Sequence, residues 1–224
     1  MGVFFKGCAD PSRRLLNRYM DSLQIKNKQL QIQGTRIIYD LCGGTGSWSK
    51  PYKDNGYTVR LIDIKDGNDI RWLRKPKEIV HGVLAAPPCT HFAHCGATWW
   101  EEKDRDGRTL NDIAIMDACI RFIFAVNPVW WVLENPWGRM VDFLGSPIMK
   151  FHPYEYGDPY QKLTYLWGKF NCPKKKIVKV PLKDSKEHGV DVYLGITHMA
   201  YGKRSALRSV TPPGFAAAFF EANR

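Results

Sequence analysis

From Arg36 onward the chain alternates short apolar runs with amphipathic stretches. Arg36-Ile37-Ile38-Tyr39-Asp40-Leu41 is a β-rich run ending in a glycine-rich turn, and Tyr57-Thr58-Val59-Arg60-Leu61-Ile62 is a second, ending in Asp63. Val80 to Ala86 predicts a third strand and Pro128-Val129-Trp130-Trp131-Val132-Leu133 a fourth. Between these, Ile113, Met116, Ile120, Ile123 and Phe124 recur at helical spacing within residues 109–126. Strands separated by helices predict a doubly wound, mostly parallel α/β sheet of the Rossmann-like kind. Ligands of such sheets sit outside the C-terminal ends of the strands, and the chemically distinctive residues of this chain occur where strands end.

The flanks follow other patterns. Asp10-Pro11 suits an N-cap and first-turn proline for a helix over 10–24, with Leu15, Leu16, Tyr19, Met20 and Leu23 on one face and Arg13, Arg14 and Arg18 off it. Residues 171–204 break the strand–helix rhythm and carry Lys174, Lys175, Lys176 and Lys179, whereas Pro212 to Ala222 return to a helical pattern. The predicted organisation is a basic N-terminal helix and linker (1–35), a catalytic domain (36–170), a small insert (171–204) and a C-terminal segment (205–224) that rejoins the catalytic domain.

Composition narrows the function. The 224 residues fit one compact domain with a small appendage. A formal net charge of +11, from 33 Lys and Arg against 22 acids, favours a polyanionic partner without distinguishing DNA from RNA. Cysteines at 8, 42, 89, 95, 119 and 172 form no CxxC pair, so free thiols in a reducing, cytoplasmic setting are expected. His91, His94 and Cys95 crowd Cys89, but no closed zinc spacing results, and no metal is expected. There is neither an apolar run of membrane length nor a convincing signal peptide.

Three strand ends carry candidate chemistry. After the first strand, Asp40-Leu41-Cys42-Gly43-Gly44-Thr45-Gly46 permits a tight turn that a ligand can approach closely; it is not a phosphate-binding GxGxxG. Asp63 is placed to accept from ribose hydroxyls, and Asp69 could meet an adenine amino group; ordinary surface acids would look the same. After the third strand, Pro87-Pro88-Cys89 holds a thiol on a stiffened chain, a nucleophile or a buried structural cysteine. Glu134-Asn135-Pro136 ends the fourth strand with a carboxyl group facing the same crevice, or one that caps a helix. The Trp99-Trp100 pair could stack on bases or pack in a lid.

In that order, the glycine loop, Pro87-Pro88-Cys89 and Glu134-Asn135-Pro136 resemble the signature motifs of the C5-cytosine DNA methyltransferases. The likeness continues through Gln161-Lys162-Leu163-Thr164-Tyr165 and Arg208-Ser209-Val210-Thr211-Pro212-Pro213, covering roughly residues 36–170 and 205–222. The compact form is similar to bacteriophage-encoded members. The resemblance implies S-adenosylmethionine as cofactor, held by residues 40–46 with Asp63, Ile64, Asp69, Pro87 and Ser209, and double-stranded DNA as partner. It implies Cys89 as the nucleophile toward cytosine C6 and Glu134 as the contact to N3 and the exocyclic amine, in a pocket walled by Pro88, Asn135 and Pro136. The base would be flipped out of the duplex.

The sequence departs from the family twice. Leu163 and Tyr165 stand where the family commonly has Gln-x-Arg-x-Arg, leaving Lys162 and Thr164 as replacements if they face the pocket. Residues 171–204 are short for a target-recognition domain, and their lysines suit phosphate contacts that carry no sequence information. An RNA cytosine methyltransferase, a nucleic-acid-binding protein without turnover, and transfer of a modified methyl-like group remain alternatives.

Overall fold

The computed structural model describes residues 36–180 and 208–224. The expected N-terminal helix and linker, and residues 181–204 of the expected insert, lie outside the described residues.

Six strands form one sheet: β1 (Ile37–Leu41), β2 (Thr58–Ile62), β3 (Val80–Ala85), β4 (Trp130–Pro136), β5 (Met149–Phe151) and β6 (Thr164–Lys169). Their spatial order is β2-β1-β3-β4-β6-β5. The pairs β1–β2, β1–β3 and β3–β4 are parallel, and β6 runs antiparallel to both neighbours. The helices are α1 (Lys50–Asp54), α2 (Trp100–Arg105), α3 (Arg108–Val126), α4 (Val141–Leu144) and α5 (Pro213–Ala222). This is the doubly wound, mostly parallel α/β sheet that the strand–helix alternation predicts. The chain leaves β1 toward β2 and returns to β3 on the other side, so the topological switch point lies between the ends of β1 and β3.

Alternation along the strands sorts side chains into two cores. Tyr39, Leu41, Val83, Ala85, Leu133, Tyr165 and Trp167 pack against Met116, Cys119, Phe122 and Ile123 of α3. On the other face, Ile38, Leu84, Trp130, Val132 and Leu166 meet Tyr52 of α1 and Phe215 and Phe219 of α5. Gly82 admits no side chain because the Trp130 ring lies directly over it. The start of α5 is held by Asp158, whose carboxylate accepts from Gly214 N at 2.9 Å. Residues 171–180 form no helix or strand. No described helix is long and apolar enough to cross a membrane.

Candidate active site

The glycine loop is built on two buried carboxylates. Asp40, fully buried at the end of β1, accepts the Ser49 hydroxyl at 2.5 Å on Oδ2, while its Oδ1 has no partner. Burial pushes this carboxyl up to about 6, against the hydrogen bonds from Ser49, and Asp63 adds to the rise. Asp63 ends β2 and accepts from Gly44 N at 2.8 Å and Lys65 N at 3.0 Å, bracing the loop. Cys42, Gly44 and Gly46 take left-handed φ angles of 55°, 57° and 70°. Gly43 rests on the Asp40 carboxyl and Leu61 so closely that a β-carbon would collide with both, whereas the space above Gly44 is open. Thr45 is exposed, and Ile64, beside Asp63, is an isoleucine with 66% exposure. Asp69 is engaged elsewhere: it caps Arg71 N at 2.9 Å and pairs with the Arg71 guanidinium at 2.6 Å, which holds its carboxyl below the usual range. A neighbouring arginine two positions on was the available sequence signal for that pairing.

Pro87, Pro88 and Cys89 leave β3 beside the end of β4, and Asn135 ties the two segments: its Nδ2 donates to Pro87 O at 3.2 Å. Asn135 is fully buried on the Tyr165 side of the sheet; Glu134, its neighbour, faces the opposite side with Leu166. There Glu134 shares a pocket with Lys162, Thr164, Ser209 and Thr211. Thr164 is buried beside Pro136 in the strand register, and its hydroxyl donates to Lys162 O at 3.0 Å. Lys162 Nζ donates to Arg208 O at 2.9 Å, joining this pocket to the C-terminal segment. Thr211 N donates to Ser47 Oγ at 3.1 Å, which joins that segment to the glycine loop. Leu163 packs against the α3 core, as does Tyr165. Leu163 and Tyr165 therefore face away from Glu134, while Lys162 and Thr164 line its pocket.

Electrostatics couple these groups. Burial raises the Glu134 carboxyl above its ordinary value, and the Lys162 ammonium opposes the rise. Burial also pushes the Cys89 thiol up to about 11; the Glu134 charge adds to this, Lys162 opposes it and Cys95 contributes further.

A clamp not foreseen in the sequence fixes the loop after Cys89. Lys103 Nζ donates to Thr90 O at 3.0 Å and Arg139 Nε donates to His91 O at 2.9 Å. Arg139, itself buried, forks onto Asp104 at 2.7 and 2.8 Å, bonds Thr109 Oγ1 at 2.7 Å and lies 4.9 Å over the Trp100 ring. His91 Nδ1 meets Asp112 Oδ2 at 2.6 Å. Ala93 pairs with Gly138, where a β-carbon would collide with the Phe92 carbonyl. The sequence signal was the run Trp137-Gly138-Arg139 directly after Glu134-Asn135-Pro136. The lysines of the expected insert are dispersed in role: Lys175 pairs with Glu155 at 2.5 Å, and Lys174, Lys176 and Lys179 are exposed.

No protein-family profile matches the chain. No curated protein matches it in sequence. Among solved structures, the chain is similar to an Escherichia coli protein provisionally described as a DNA modification methyltransferase encoded within a prophage, with 15% identity and a TM-score of 0.44. That similarity covers 65% of this chain and 52% of the other, so the chain spans about half the length of the structure it matches.

Proposed function

We propose that this protein transfers a methyl group from S-adenosylmethionine to C5 of a cytosine flipped out of duplex DNA, through a covalent bond between Cys89 and C6. The observation that carries this reading is the convergence of Cys89 and Glu134 from adjacent parallel strands, with the Lys162 charge acting on both.

The glycine loop suits the cofactor. The open space over Gly44, the carboxylate of Asp63 and the exposed Ile64 offer a close backbone approach, a ribose acceptor and an apolar surface for adenine. S-adenosylmethionine bound there would supply the electrophilic methyl group. Ser209, which lines the Glu134 pocket, and Pro87, which accepts from Asn135, would complete the cofactor's surroundings.

The residues of the crevice then account for the rest. Cytosine C5 is a poor nucleophile because its π electrons are delocalised over an aromatic ring. Cys89 passes its proton to water, an ionisation favoured by Lys162, and the lone pair of the resulting thiolate forms a bond to C6. The C5–C6 π electrons move toward C5, and Glu134 donates a proton to N3, for which its raised affinity for that proton suits it. C5 takes the methyl group as the bond from that group to the sulfonium sulfur breaks, leaving S-adenosylhomocysteine; C5 then loses its proton to water, the electrons of that C–H bond re-form the C5–C6 double bond and expel the Cys89 thiolate, and N3 returns its proton to Glu134. The Pro136 and Thr164 side chains complete the wall beside Glu134. Exposed Lys174, Lys176 and Lys179 suit contacts to phosphate.

Purified protein incubated with methyl-labelled S-adenosylmethionine and either duplex DNA or tRNA tests the proposal. Label is expected in DNA as 5-methylcytosine, and a duplex carrying 5-fluorocytosine should trap a denaturation-resistant adduct on Cys89. Label in tRNA alone would assign the activity to RNA; no label in either would overturn the reading.

A further inference from the structure

Two exposed aromatic rings lie in the segments that directly follow Cys89 and Glu134, with no partner in either core. His94 and Trp137 stack with ring centroids 4.0 Å apart and planes 23° from parallel. Trp137 keeps 47% of its surface exposed, and His94 is exposed as well. Their sequence positions tie them to the site, since His94 follows Cys89 by five residues and Trp137 follows Glu134 by three. Cys95, next to His94, is close enough to Cys89 for its charge to act on that thiol.

The stack is rigidly supported. His94 N donates to Trp137 O at 2.9 Å, and the adjoining residues Ala93 and Gly138 form a β-bridge. Trp100 meets the His94 ring edge-on at 6.3 Å and is itself capped by the Arg139 guanidinium. The Trp99-Trp100 pair therefore divides: Trp100 braces the stack from within, and Trp99, 59% exposed, does not. A large ring held flat in water by this much structure forgoes the burial that would ordinarily stabilise it. Its flat face suits another π system, and the chain's charge of +11 favours one attached to a polyanion.

We infer that the His94–Trp137 stack is a nucleobase platform, which receives the face of a base next to the one that enters the crevice. This rests on Cys89 and Glu134 acting on a base. Removing one base from a helix strips its neighbours of a stacking partner, and a ring fixed at the crevice mouth replaces that partner.

The test uses the full chain and a cytosine-containing single strand in which 2-aminopurine, whose emission falls on stacking, adjoins a cytosine. Trp137→Leu should bind this strand about tenfold more weakly and lose the quench. Trp137→Phe should keep both, and His94→Ala should lose part of the quench. Photocrosslinking of wild type to a 5-bromouracil strand should label the peptides containing His94 or Trp137, independently of how any variant folds. Wild-type affinity and quench in a Trp137→Leu protein that melts normally, or crosslinks confined to other peptides, would overturn the platform. So would a change from dimer to monomer with DNA affinity intact, which would make the stack a self-association surface. If the 5-fluorocytosine adduct still forms in wild type under any of these outcomes, the platform alone falls. If wild type neither binds the strand nor forms the adduct, both readings fall.

Discussion

Lys162 and Glu134 line one pocket, and the Lys162 ammonium is the charge that opposes burial at both Glu134 and Cys89. Substitutions at the two positions should therefore move the Cys89 thiol in opposite directions. Glu134→Gln removes a negative charge and should make Cys89 ionise more readily; Lys162→Met should make it ionise less. With a thiol at about 11, wild-type Cys89 should alkylate roughly a hundredfold more slowly at pH 8 than an ordinary cysteine. Mass-spectrometric rates with iodoacetamide check all three, using exposed Cys95 and Cys172 as internal references. Equal shifts in one direction for both variants would dissolve the coupling.

Arg139 should matter to the loop that carries Cys89. Arg139→Ala strands the His91 carbonyl and removes the guanidinium's bonds to Thr109 and to half-exposed Asp104, at about 2 kcal/mol. In a domain of this size the melting temperature should fall on the order of 5–10 °C. Arg139→Lys keeps the charge without the fork, and should recover part of the stability but less of the adduct formation on 5-fluorocytosine DNA. Calorimetry beside adduct yield separates the two effects.

The Asp40 carboxyl makes a signed pH prediction. Its folded value, about 6, lies above its ordinary 3.8, so the folded state holds a proton that the unfolded chain has released. Stability from this group is full below about pH 4, declines as pH rises to about 6 and is level above, a change of about 3 kcal/mol. Asp40→Asn should remove that slope. Denaturant titrations from pH 4 to 7.5 on both proteins should show wild type losing stability relative to the variant across this window; parallel curves would refute it.

Asp63→Ala should weaken S-adenosylmethionine binding about tenfold or more. The carboxylate braces Gly44 N, and hydrogen bonds to a charged acceptor are worth about 1.5–3 kcal/mol. Binding of a DNA duplex, measured by anisotropy, should change less. Unchanged calorimetric affinity for the cofactor would assign the ribose contact to another residue.

Much of the fold around the candidate site was legible from local pattern. Short β-rich runs bounded by turns mark β1 to β4, and helical spacing marks α3, because those signals depend only on neighbours in the chain. The glycines of the first loop are equally local, since Gly44 and Gly46 occupy φ angles that side chains disfavour. The strand ends could therefore be named as the candidate site before any contact was known.

The remaining features depend on partners far along the chain. The β6 run, apolar and short, does not declare that it enters antiparallel between β4 and β5; pairing with Glu134 through Leu166 decides that. That same register turns Lys162 and Thr164 toward Glu134 and buries Leu163 and Tyr165 on the other face, because a shift of one residue reverses every side chain of a strand. Asn135 bonding Pro87, and Arg139 holding the His91 carbonyl, likewise join residues 48 positions apart. The sequence by itself determined which residue types stand at the strand ends. Only the tertiary structure decided which of them share a pocket, because pairing register and burial are properties of segments brought together, not of either segment alone.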